Sequence, residues 1–340
     1  MNRTTPREQR PRPGTPSTES PDSVRPEARG TAVPHAVPDD ALVLALDVGG
    51  TTMKGEITDI TGAALASGVL DTPQGEAAFE TMGVLGDQLL ARLTPRQRAS
   101  VARASVVLPG IIDVERSIAV FSANVGWRDV HIGDRFSARW HLPVLIEHDV
   151  AVAGWAEWRF GAGRGHDDVC VVILGTGISG TLSVGGRLVR GGIGQTGEYG
   201  HISVRHDNGL PCACGNTGCV ETVASGASIA RAYAARTGRT AGAAEIFGLR
   251  DTDTDAKAVL ADAVDALADG LVGLIHATCP ELIILGGGLA GAGAALTDPL
   301  HRALTERLRL VPAPEVVLGE FGARAGLAGA ALFARHGELA

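Results

Sequence analysis

Aliphatic runs alternate with amphipathic stretches from residue 41 onward. The run from Leu42 to Leu46 predicts a buried β-strand, because Val, Ile and Leu are typical of strands. The chain then turns at Gly49 and Gly50, and the looser alternation from Met53 to Ile60 predicts a second strand. These two strands are expected to form a β-hairpin with Asp, Gly and Thr at its tip.

The same design returns later in the chain, in "DVCVVILGTGISGTLSVGG": an aliphatic strand, a tip of Gly, Thr and Ser, and a returning strand. Other strands are predicted at "SVVLPG", "IDVERSIAVFSAN", "LPVLIEHD" and "ELIILGGG". Helical periodicity predicts helices in "GEAAFETMGVLGDQLLARL", "IGDRFSARW", "VAVAGWAEWRFGAG", "GASIARAYAAR", "DAKAVLADAVDALADGLVGLIHATC" and "FGARAGLAGAALFARHG". This alternation predicts a mixed α/β fold.

The first 40 residues differ in composition from the rest of the chain. Eight of the 17 prolines lie there, among Arg, Glu, Ser and Thr, with almost no large apolar residues. Such a segment buries too little surface to fold, so we expect a disordered tail and a folded unit that starts near Ala41. The total length of 340 residues suggests about two domains.

Charge and hydropathy exclude two classes of partner. The net charge of −8 argues against a nucleic-acid backbone as the main ligand, because phosphate neutralisation requires a basic surface. No apolar run reaches the roughly 18 to 20 residues that span a bilayer, and the N-terminus lacks the apolar core of a signal peptide. We therefore expect a cytoplasmic protein with neither a nucleic-acid nor a membrane partner.

The two glycine-rich tips are candidates for phosphate binding, because exposed backbone amides and hydroxyls can hold an anion. An ordinary hairpin turn would explain one such tip equally well, but two tips of the same composition favour the hypothesis that they bind phosphate. The tract "GGGLAG" looks like a dinucleotide fingerprint. It is weak evidence, since no acidic residue follows at the expected distance of about 20 residues.

Three of the five cysteines crowd into "CACGNTGC", at Cys212, Cys214 and Cys219. In a cytosolic chain this spacing favours a metal site over disulfides. A closed tetrahedral site needs a fourth ligand, and both His201 and His206 are near enough in sequence to supply it. The remaining cysteines, Cys170 and Cys279, lie in apolar runs and are expected to be small core residues.

Taken in order, "DVGGTTMKG", "LGTGISGTL", "GEYGH", "CACGNTGCVE" and "ILGGGL" resemble the motifs of the ROK family of repressors and sugar kinases, over about residues 41 to 338. The resemblance implies an actin-like, hexokinase-type fold of two α/β domains with a cleft between them. It places the first domain at residues 41–148, with a C-terminal helix at 326–338 packing back on it. The larger domain, residues 149–325, would carry a zinc loop.

By resemblance, phosphate and nucleotide binding falls to three glycine-rich segments. These comprise Asp47, Gly49, Gly50, Thr51 and Thr52 in the first tip, Gly175, Thr176, Gly177 and Ser179 in the second, and Gly286, Gly287 and Gly288 at the adenosine. Asp47 would order Mg²⁺ through its water shell, as expected for an ion that takes few carboxylates directly. Positioning and charge stabilisation are the main needs of phosphoryl transfer.

Asp149 matches the family's catalytic aspartate, which accepts the proton of the sugar's primary hydroxyl. It also stands where a helix N-cap would stand, and one residue can fill both roles. The family's kinases commonly show Glu-Asn-Asp-Ala-Asn here, whereas this chain has Glu147, His148, Asp149, Val150 and Ala151. His148 can replace one hydrogen bond of the missing Asn, but it is bulkier and titrates near neutrality.

The resemblance completes the sugar pocket with Gly110, Asn124, Glu198, His201 and Glu221, together with His148 and Asp149. It also selects His201 as the fourth metal ligand, so that a structural zinc held by His201, Cys212, Cys214 and Cys219 would orient the sugar-binding residues.

The leading hypothesis is an ATP-dependent hexose kinase, with glucose as the expected substrate and Mg-ATP as donor. An N-acetylhexosamine kinase is the nearest alternative, and a donor other than ATP stays open. A sugar-sensing regulator of the same family would need a winged-helix domain, for which the 40-residue tail is too short and too polar. A sugar-binding protein without turnover is a further alternative, which His148 and Ala151 keep open. The resemblance suggests a homodimer or homotetramer.

Overall fold

The first strand forms at Leu42–Val48, where the aliphatic run predicts it. The computed structural model describes residues 36–122, 125–192 and 194–339. The tail predicted to be disordered, residues 1–40, lies outside the described residues apart from residues 36–40.

The described residues form the following elements. The strands are β1 (Leu42–Val48), β2 (Thr52–Thr58), β3 (Ala64–Asp71), β4 (Val101–Leu108), β5 (Ile111–Asp113), β6 (Ile118–Ser122), β7 (Trp127–His131), β8 (Val144–His148), β9 (Val169–Leu174), β10 (Ile178–Val184), β11 (Arg187–Leu188), β12 (Leu282–Gly286) and β13 (Glu315–Leu318). The helices are α1 (Glu76–Ala91), α2 (Pro95–Ala99), α3 (Ile132–Trp140), α4 (Asp149–Arg159), α5 (Glu221–Ala224), α6 (Gly226–Thr237), α7 (Ala243–Leu249), α8 (Thr254–Thr278), α9 (Ala294–Arg307) and α10 (Ala325–His336).

Five strands form the first sheet, in the order β3, β2, β1, β4, β8. The strands β1 and β2 pair antiparallel, which confirms the first predicted hairpin, and Asp47 lies opposite Lys54 in their register. Strand β4 pairs with β1 in parallel, and β8 pairs with β4 in parallel. Parallel strands end at the same edge of a sheet, so Leu108 and His148 lie side by side at that edge.

The second sheet repeats this arrangement, in the order β11, β10, β9, β12, β13. Its strands β9 and β10 form an antiparallel hairpin, and β12 and β13 continue parallel to β9. The repeated Gly-Thr design in the sequence therefore corresponds to a repeated hairpin in the structure. A smaller antiparallel sheet of β5, β6 and β7 follows β4 and confirms the extended segments predicted around residue 115.

One hydrophobic core joins the two large sheets, because α4 and α10 lie between them. The aromatic side chains of Trp155 and Phe333 pack with Ala45 of the first sheet and with Val171 and Ile284 of the second. The alternate residues of β1 face a separate core formed with α1 and α3. The strand β1 is therefore buried on both faces, which explains its continuous aliphatic run.

Helix α10 packs on α4 and on the strands β1 and β4. It covers most of the closing helix predicted at residues 326–338, whereas the predicted domain boundary falls between β8 and α4 and stays a prediction. No helix among the described residues is long and apolar enough to cross a bilayer.

The two isolated cysteines differ in environment. Cys170 is buried in β9, as predicted, but the prediction of a core position was wrong for Cys279. Cys279 is exposed at the C-terminal end of α8, where it adopts a positive φ of 45°. The apolar run predicted a core position, but the helix ends one residue earlier, and the chain turns at the surface there.

Candidate functional site

A cavity of about 660 Å³ opens beside the carboxyl ends of β4 and β8. Its lining includes Gly110, which follows β4, and His148, which ends β8. The opposite wall comes from the segment between β11 and the metal loop, including Arg190, Glu198 and His201. The carboxyl edge of a parallel sheet is where ligands bind in open α/β folds, so this cavity is the candidate substrate site.

Asp149 lies next to this cavity, as the first residue of α4. Its carboxylate accepts the backbone N–H of Val150 at 2.8 Å, and His148 Nε2 lies 3.5 Å from its Oδ1 atom. The side chain is 26% exposed. Burial raises the pKa of Asp149 above its ordinary value, whereas the neighbouring His148 acts in the opposite direction. A carboxylate with a raised pKa beside a cavity can accept a proton from a bound hydroxyl.

Four of the residues predicted for the sugar pocket line the cavity: Gly110, His148, Glu198 and His201. Glu221 does not appear among the described lining residues. Its Oε2 atom instead accepts the N–H of Ile178 at 2.8 Å, at the tip of the second hairpin. The remaining predicted residue, Asn124, lies outside the described residues.

The tip of the first hairpin is closed by short local hydrogen bonds. The Gly49 N–H donates to the Thr52 carbonyl at 2.9 Å, and the Thr72 hydroxyl donates to the Gly49 carbonyl at 2.8 Å. Thr51 is exposed, and Gly50 and Thr52 are half-buried, so this tip can present amide and hydroxyl groups to a ligand.

Asp47 precedes this tip and lies against α10. A Cβ atom on Gly326 would meet its Oδ2 atom at 2.6 Å, so glycine is required for this close approach. Burial and, second, the charge of Asp149 raise the pKa of Asp47 to about 6. The carboxylates of Asp47 and Asp149 are therefore close enough to repel each other.

The second tip has the same kind of closure. Gly175 N–H donates to the Gly177 carbonyl at 2.9 Å, and Gly226 N–H donates to the Gly175 carbonyl at 2.9 Å. Thr176 is exposed at the turn, and Ser179 is half-buried at the start of β10.

The third glycine segment lies beside the second tip. Gly287 has a φ of 81°, and a Cβ atom there would meet the Leu174 carbonyl oxygen at 2.5 Å. Because Leu174 directly precedes Gly175, the fold brings Gly286, Gly287 and Gly288 to the second tip, as a nucleotide site would require.

Four ligand atoms converge in the metal loop, from His201, Cys212, Cys214 and Cys219, and they all lie within 4.8 Å of one another. The Cys214 and Cys219 sulfurs are 3.7 Å apart, and His201 Nδ1 is 3.5 Å from the Cys212 sulfur. In a tetrahedral zinc site with Zn–S bonds of about 2.3 Å, two sulfurs lie about 3.8 Å apart. The donor set and its spacing therefore fit a structural zinc ion.

The geometry also separates the two candidate histidines. His206 lies 3.3 Å from the Ser203 hydroxyl and is not part of the convergent group, whereas His201 is. The other ring nitrogen of His201, Nε2, lies 3.7 Å from Glu198 Oε2. One histidine therefore lies between the three cysteines of the metal loop and a carboxylate of the cavity.

Sequence reasoning missed three residues of this cavity. Glu147 and Arg190 form an ion pair across it, with Glu147 Oε2 and Arg190 Nη2 2.8 Å apart, although the angles at this contact are not those of a hydrogen bond. The Ser122 hydroxyl is buried at the cavity wall and has no hydrogen-bond partner among the described residues. The sequence signal for Arg190 was a charged residue directly before a glycine-rich stretch. Ser122 gave no signal, because a serine in a strand is common.

Comparisons with known proteins agree with the geometry. The sequence model of the ROK family matches residues 43–336. A glucokinase of Streptomyces coelicolor is 31% identical over 317 residues, which cover 87% of this chain and 98% of that enzyme. The N-acetylgalactosamine kinase AgaK of a Shewanella species is 31% identical over 304 residues, covering 86% of this chain and 96% of the relative.

Among solved structures, a ROK family glucokinase from Streptomyces griseus in complex with glucose and AMPPNP is similar, with a TM-score of 0.73 and 31% identity. The match covers 87% of this chain and 99% of that one. The match to the family model spans most of the chain, both large sheets and the metal loop. This chain therefore belongs to the ROK family.

Proposed function

We propose that the chain is an ATP-dependent sugar kinase that phosphorylates the 6-hydroxyl of a hexose, with glucose as the leading substrate. The observation that carries the proposal is a partly buried carboxylate, Asp149, at the start of α4 and beside a cavity at the sheet edge. The two glycine-rich tips supply a place for the donor phosphates. The related glucokinases support glucose as the acceptor.

In the proposed reaction, Asp149 holds the sugar 6-hydroxyl and accepts its proton. The hydroxyl oxygen forms a bond to the γ-phosphorus while the bond from that phosphorus to the β–γ bridging oxygen breaks, which leaves ADP. An alcohol is a far weaker acid than a carboxylic acid, so the proton moves late, once the new bond is largely formed. The raised pKa of Asp149 makes its carboxylate a better proton acceptor.

The phosphate groups are proposed to lie between the two hairpin tips. Residues Gly49 to Thr52 would donate from one side and Gly175 to Ser179 from the other, with Gly286 to Gly288 against the adenosine. When bound, Mg²⁺ neutralises charge that develops on the transferring phosphoryl group. Asp47 would hold water molecules of the Mg²⁺ hydration shell, since its carboxylate lies near Asp149 and Mg²⁺ keeps several of its waters.

The sugar is proposed to lie in the cavity, with its hydroxyls paired to polar groups on both walls. Glu198 and His201 would bind it from the metal-loop side, and Gly110 and His148 from the sheet edge. Asn124 and Glu221 stay predictions. His201, Cys212, Cys214 and Cys219 would hold a structural zinc ion, which would cross-link the loop and orient His201, whose Nε2 lies 3.7 Å from Glu198 Oε2.

We further propose that the two sheets mark two domains, with a boundary near residues 148 and 149, and that they close on the substrates. Such closure would exclude water from the transferring group and so limit hydrolysis of ATP. The homodimer or homotetramer and the cytoplasmic location that the sequence suggests also stay predictions.

An N-acetylhexosamine kinase is the second candidate, favoured by the similarity to AgaK. His148 is a further reason to test it, because it replaces an amide of the common kinase motif at the wall of the cavity. A regulator and a sugar-binding protein without turnover are both distinguished from a kinase by the absence of ADP release.

The test is ADP release with Mg-ATP over glucose, mannose, allose, N-acetylglucosamine, N-acetylmannosamine and N-acetylgalactosamine, alongside calorimetry with each sugar. Turnover on glucose above the acetylated sugars supports the proposal. Turnover on an acetylated sugar alone would replace glucose with the second candidate. Sugar binding without ADP release from ATP or from polyphosphate would overturn the kinase proposal.

On the acid side, activity should be lost at a pH above the ordinary pKa of an aspartate. Asp149 must be ionised to accept a proton, and burial raises its pKa from 3.8, so activity should begin to fall at a pH above this value. Below the pKa we expect kcat/KM to fall about tenfold per pH unit, as for one titrating group.

The measurement is kcat/KM for the sugar between pH 4.5 and about 8, with the thermal midpoint recorded over the same range as a control. Because the raised pKa favours the protonated carboxyl in the folded state, the contribution of Asp149 to stability is greatest at low pH and is lost as pH rises through its folded-state pKa. Asp149 therefore predicts a loss of activity on the acid side without a fall in the thermal midpoint. Activity that stays flat to the lowest pH would contradict a raised pKa.

A further inference from the structure

A charged contact crosses the candidate sugar cavity and ends beside the proposed base. Glu147 is the last residue but one of β8 and is 3% exposed, whereas Arg190 follows β11 and is 42% exposed. Their Oε2 and Nη2 atoms are 2.8 Å apart. Residues 147 and 190 belong to opposite walls of the cavity, so this ion pair connects the two walls.

The buried carboxylate of Glu147 has two partners. Its second oxygen, Oε1, accepts the backbone N–H of His148 at 3.0 Å. His148 Nε2 in turn lies 3.5 Å from Asp149 Oδ1. A continuous series of polar contacts therefore runs from Arg190 through Glu147 and His148 to Asp149. A change at Arg190 can reach the base through these contacts, although Arg190 follows β11 of the second sheet and Asp149 follows β8 of the first.

Charge balance supports a specific role for Arg190. Among the described residues that line the cavity, Arg190 is the one arginine or lysine, and two carboxylates, Glu147 and Glu198, line it as well. A close cation offsets the cost of burying a carboxylate as deeply as that of Glu147. Without Arg190, the Glu147 side chain would turn toward water, and this change would weaken its hydrogen bond to the His148 amide.

The position of Arg190 in the chain gives the contact a second consequence. Gly191, Gly194 and Gly197 follow it with positive φ angles, a conformation that glycine adopts more readily than other residues. Glu198 and His201 come next, and His201 belongs to the metal cluster. The sugar-facing Glu198 therefore lies between two fixed points, the ion pair at Arg190 and the metal ligand His201.

We propose that Arg190 and Glu147 are positioning residues of the sugar site, which align Asp149 and Glu198 across the cavity. This inference rests on the proposed kinase function. Neither side chain is required to touch the phosphoryl group. The expected result of breaking the pair is a loss in sugar affinity and in turnover, while the binding of ATP is preserved.

The experiment compares Arg190→Gln, Glu147→Gln and the double variant with the native chain. Misplacement of a reacting group by about 1 Å can cost about 100-fold in rate, so each single change should lower kcat/KM for the sugar about 10- to 100-fold. The KM for ATP should stay within about twofold of the native value. The double variant should be no worse than the poorer single variant, because both changes remove the same contact.

Two controls separate positioning from a general loss of structure. Arg187→Gln removes an exposed arginine of β11 and should leave kcat/KM unchanged. Arg190→Lys keeps the charge but loses the planar guanidinium, so it should recover part of the activity. Equal losses in Arg187→Gln and Arg190→Gln, additive effects in the double variant, or a rise in the KM for ATP alone would overturn the inference.

A readout that is independent of activity separates this inference from the proposed function. The His148 N–H donates to Glu147, so Arg190→Gln should speed amide hydrogen exchange in the peptide containing residues 145–150, whereas Arg187→Gln should not. If the native chain phosphorylates no sugar, the kinase proposal fails. The hydrogen-exchange measurement still shows whether Arg190 stabilises the C-terminal end of β8 through Glu147. Unchanged exchange in Arg190→Gln would overturn the inference in either case.

Discussion

Replacing Asp149 by Asn is expected to lower kcat for sugar phosphorylation about 10²- to 10⁴-fold, the usual contribution of a general base. The amide has the size and shape of the carboxylate, so its oxygen can still accept the Val150 N–H that Asp149 accepts at 2.8 Å. Local helix structure should therefore be preserved. What is lost is the capacity to take a proton from the sugar hydroxyl, because an amide is not basic at neutral pH.

The measurement is ADP release at saturating sugar and Mg-ATP, together with calorimetric binding of the sugar. Binding should change little, since the amide can still hydrogen-bond the hydroxyl. Asp134→Asn is the matched control, because Asp134 is an exposed acid in the first turn of α3. If Asp149→Asn keeps more than about a tenth of native kcat, Asp149 is not the base, and the assignment of the mechanism to this site is wrong.

The second large effect is expected at the metal loop. Replacing Cys219 by Ser should remove the bound metal and weaken sugar binding about 10- to 100-fold or more, which is the range seen when even indirect supports of a metal site are lost. Cys219 is the buried ligand of the four, and its sulfur lies 3.7 Å from that of Cys214. Serine has a shorter, harder oxygen donor, which zinc holds much less well than a thiolate.

Metal content by elemental analysis, sugar affinity by calorimetry and ATP affinity form the three readouts. Zinc should fall well below one ion per chain and sugar affinity should fall with it, because His201 then loses its orientation toward Glu198. ATP affinity should change less, since the glycine-rich tips belong to other elements. Cys279→Ser, at an exposed cysteine outside the cluster, should change none of these. A Cys219→Ser protein with full zinc would contradict the assigned ligand set.

Much of the fold followed from local pattern. The strands β1 and β9 are continuous aliphatic runs because each is buried on both faces, and their glycine-rich tips could be placed without knowledge of the packing. Helices α4, α6 and α8 showed clear helical periodicity and were predicted within a few residues. Their stability depends mainly on the amphipathic face, which the sequence displays directly.

Two of the elements missed by sequence analysis have local signals that conflict with the outcome. Helix α9 contains Pro299 in its interior, a residue that normally breaks a helix. The strand β13 has only four residues and none of them is buried, so its pattern is weak. Packing of α9 on α8 and hydrogen bonding of β13 to β12 stabilise these elements, and neither contact is visible in the local sequence.

The sequence by itself determined the mixed α/β fold, the two similar hairpins, the cysteine cluster and the family to which the chain belongs. The tertiary structure brought His201 rather than His206 to the cysteines, as the family resemblance implied, and it alone exposed Cys279, placed Glu221 against Ile178 and paired Glu147 with Arg190. The physical reason is that these contacts join residues distant along the chain. Their geometry follows from the packing of two sheets around α4 and α10, which no local pattern of hydrophobic and polar residues encodes.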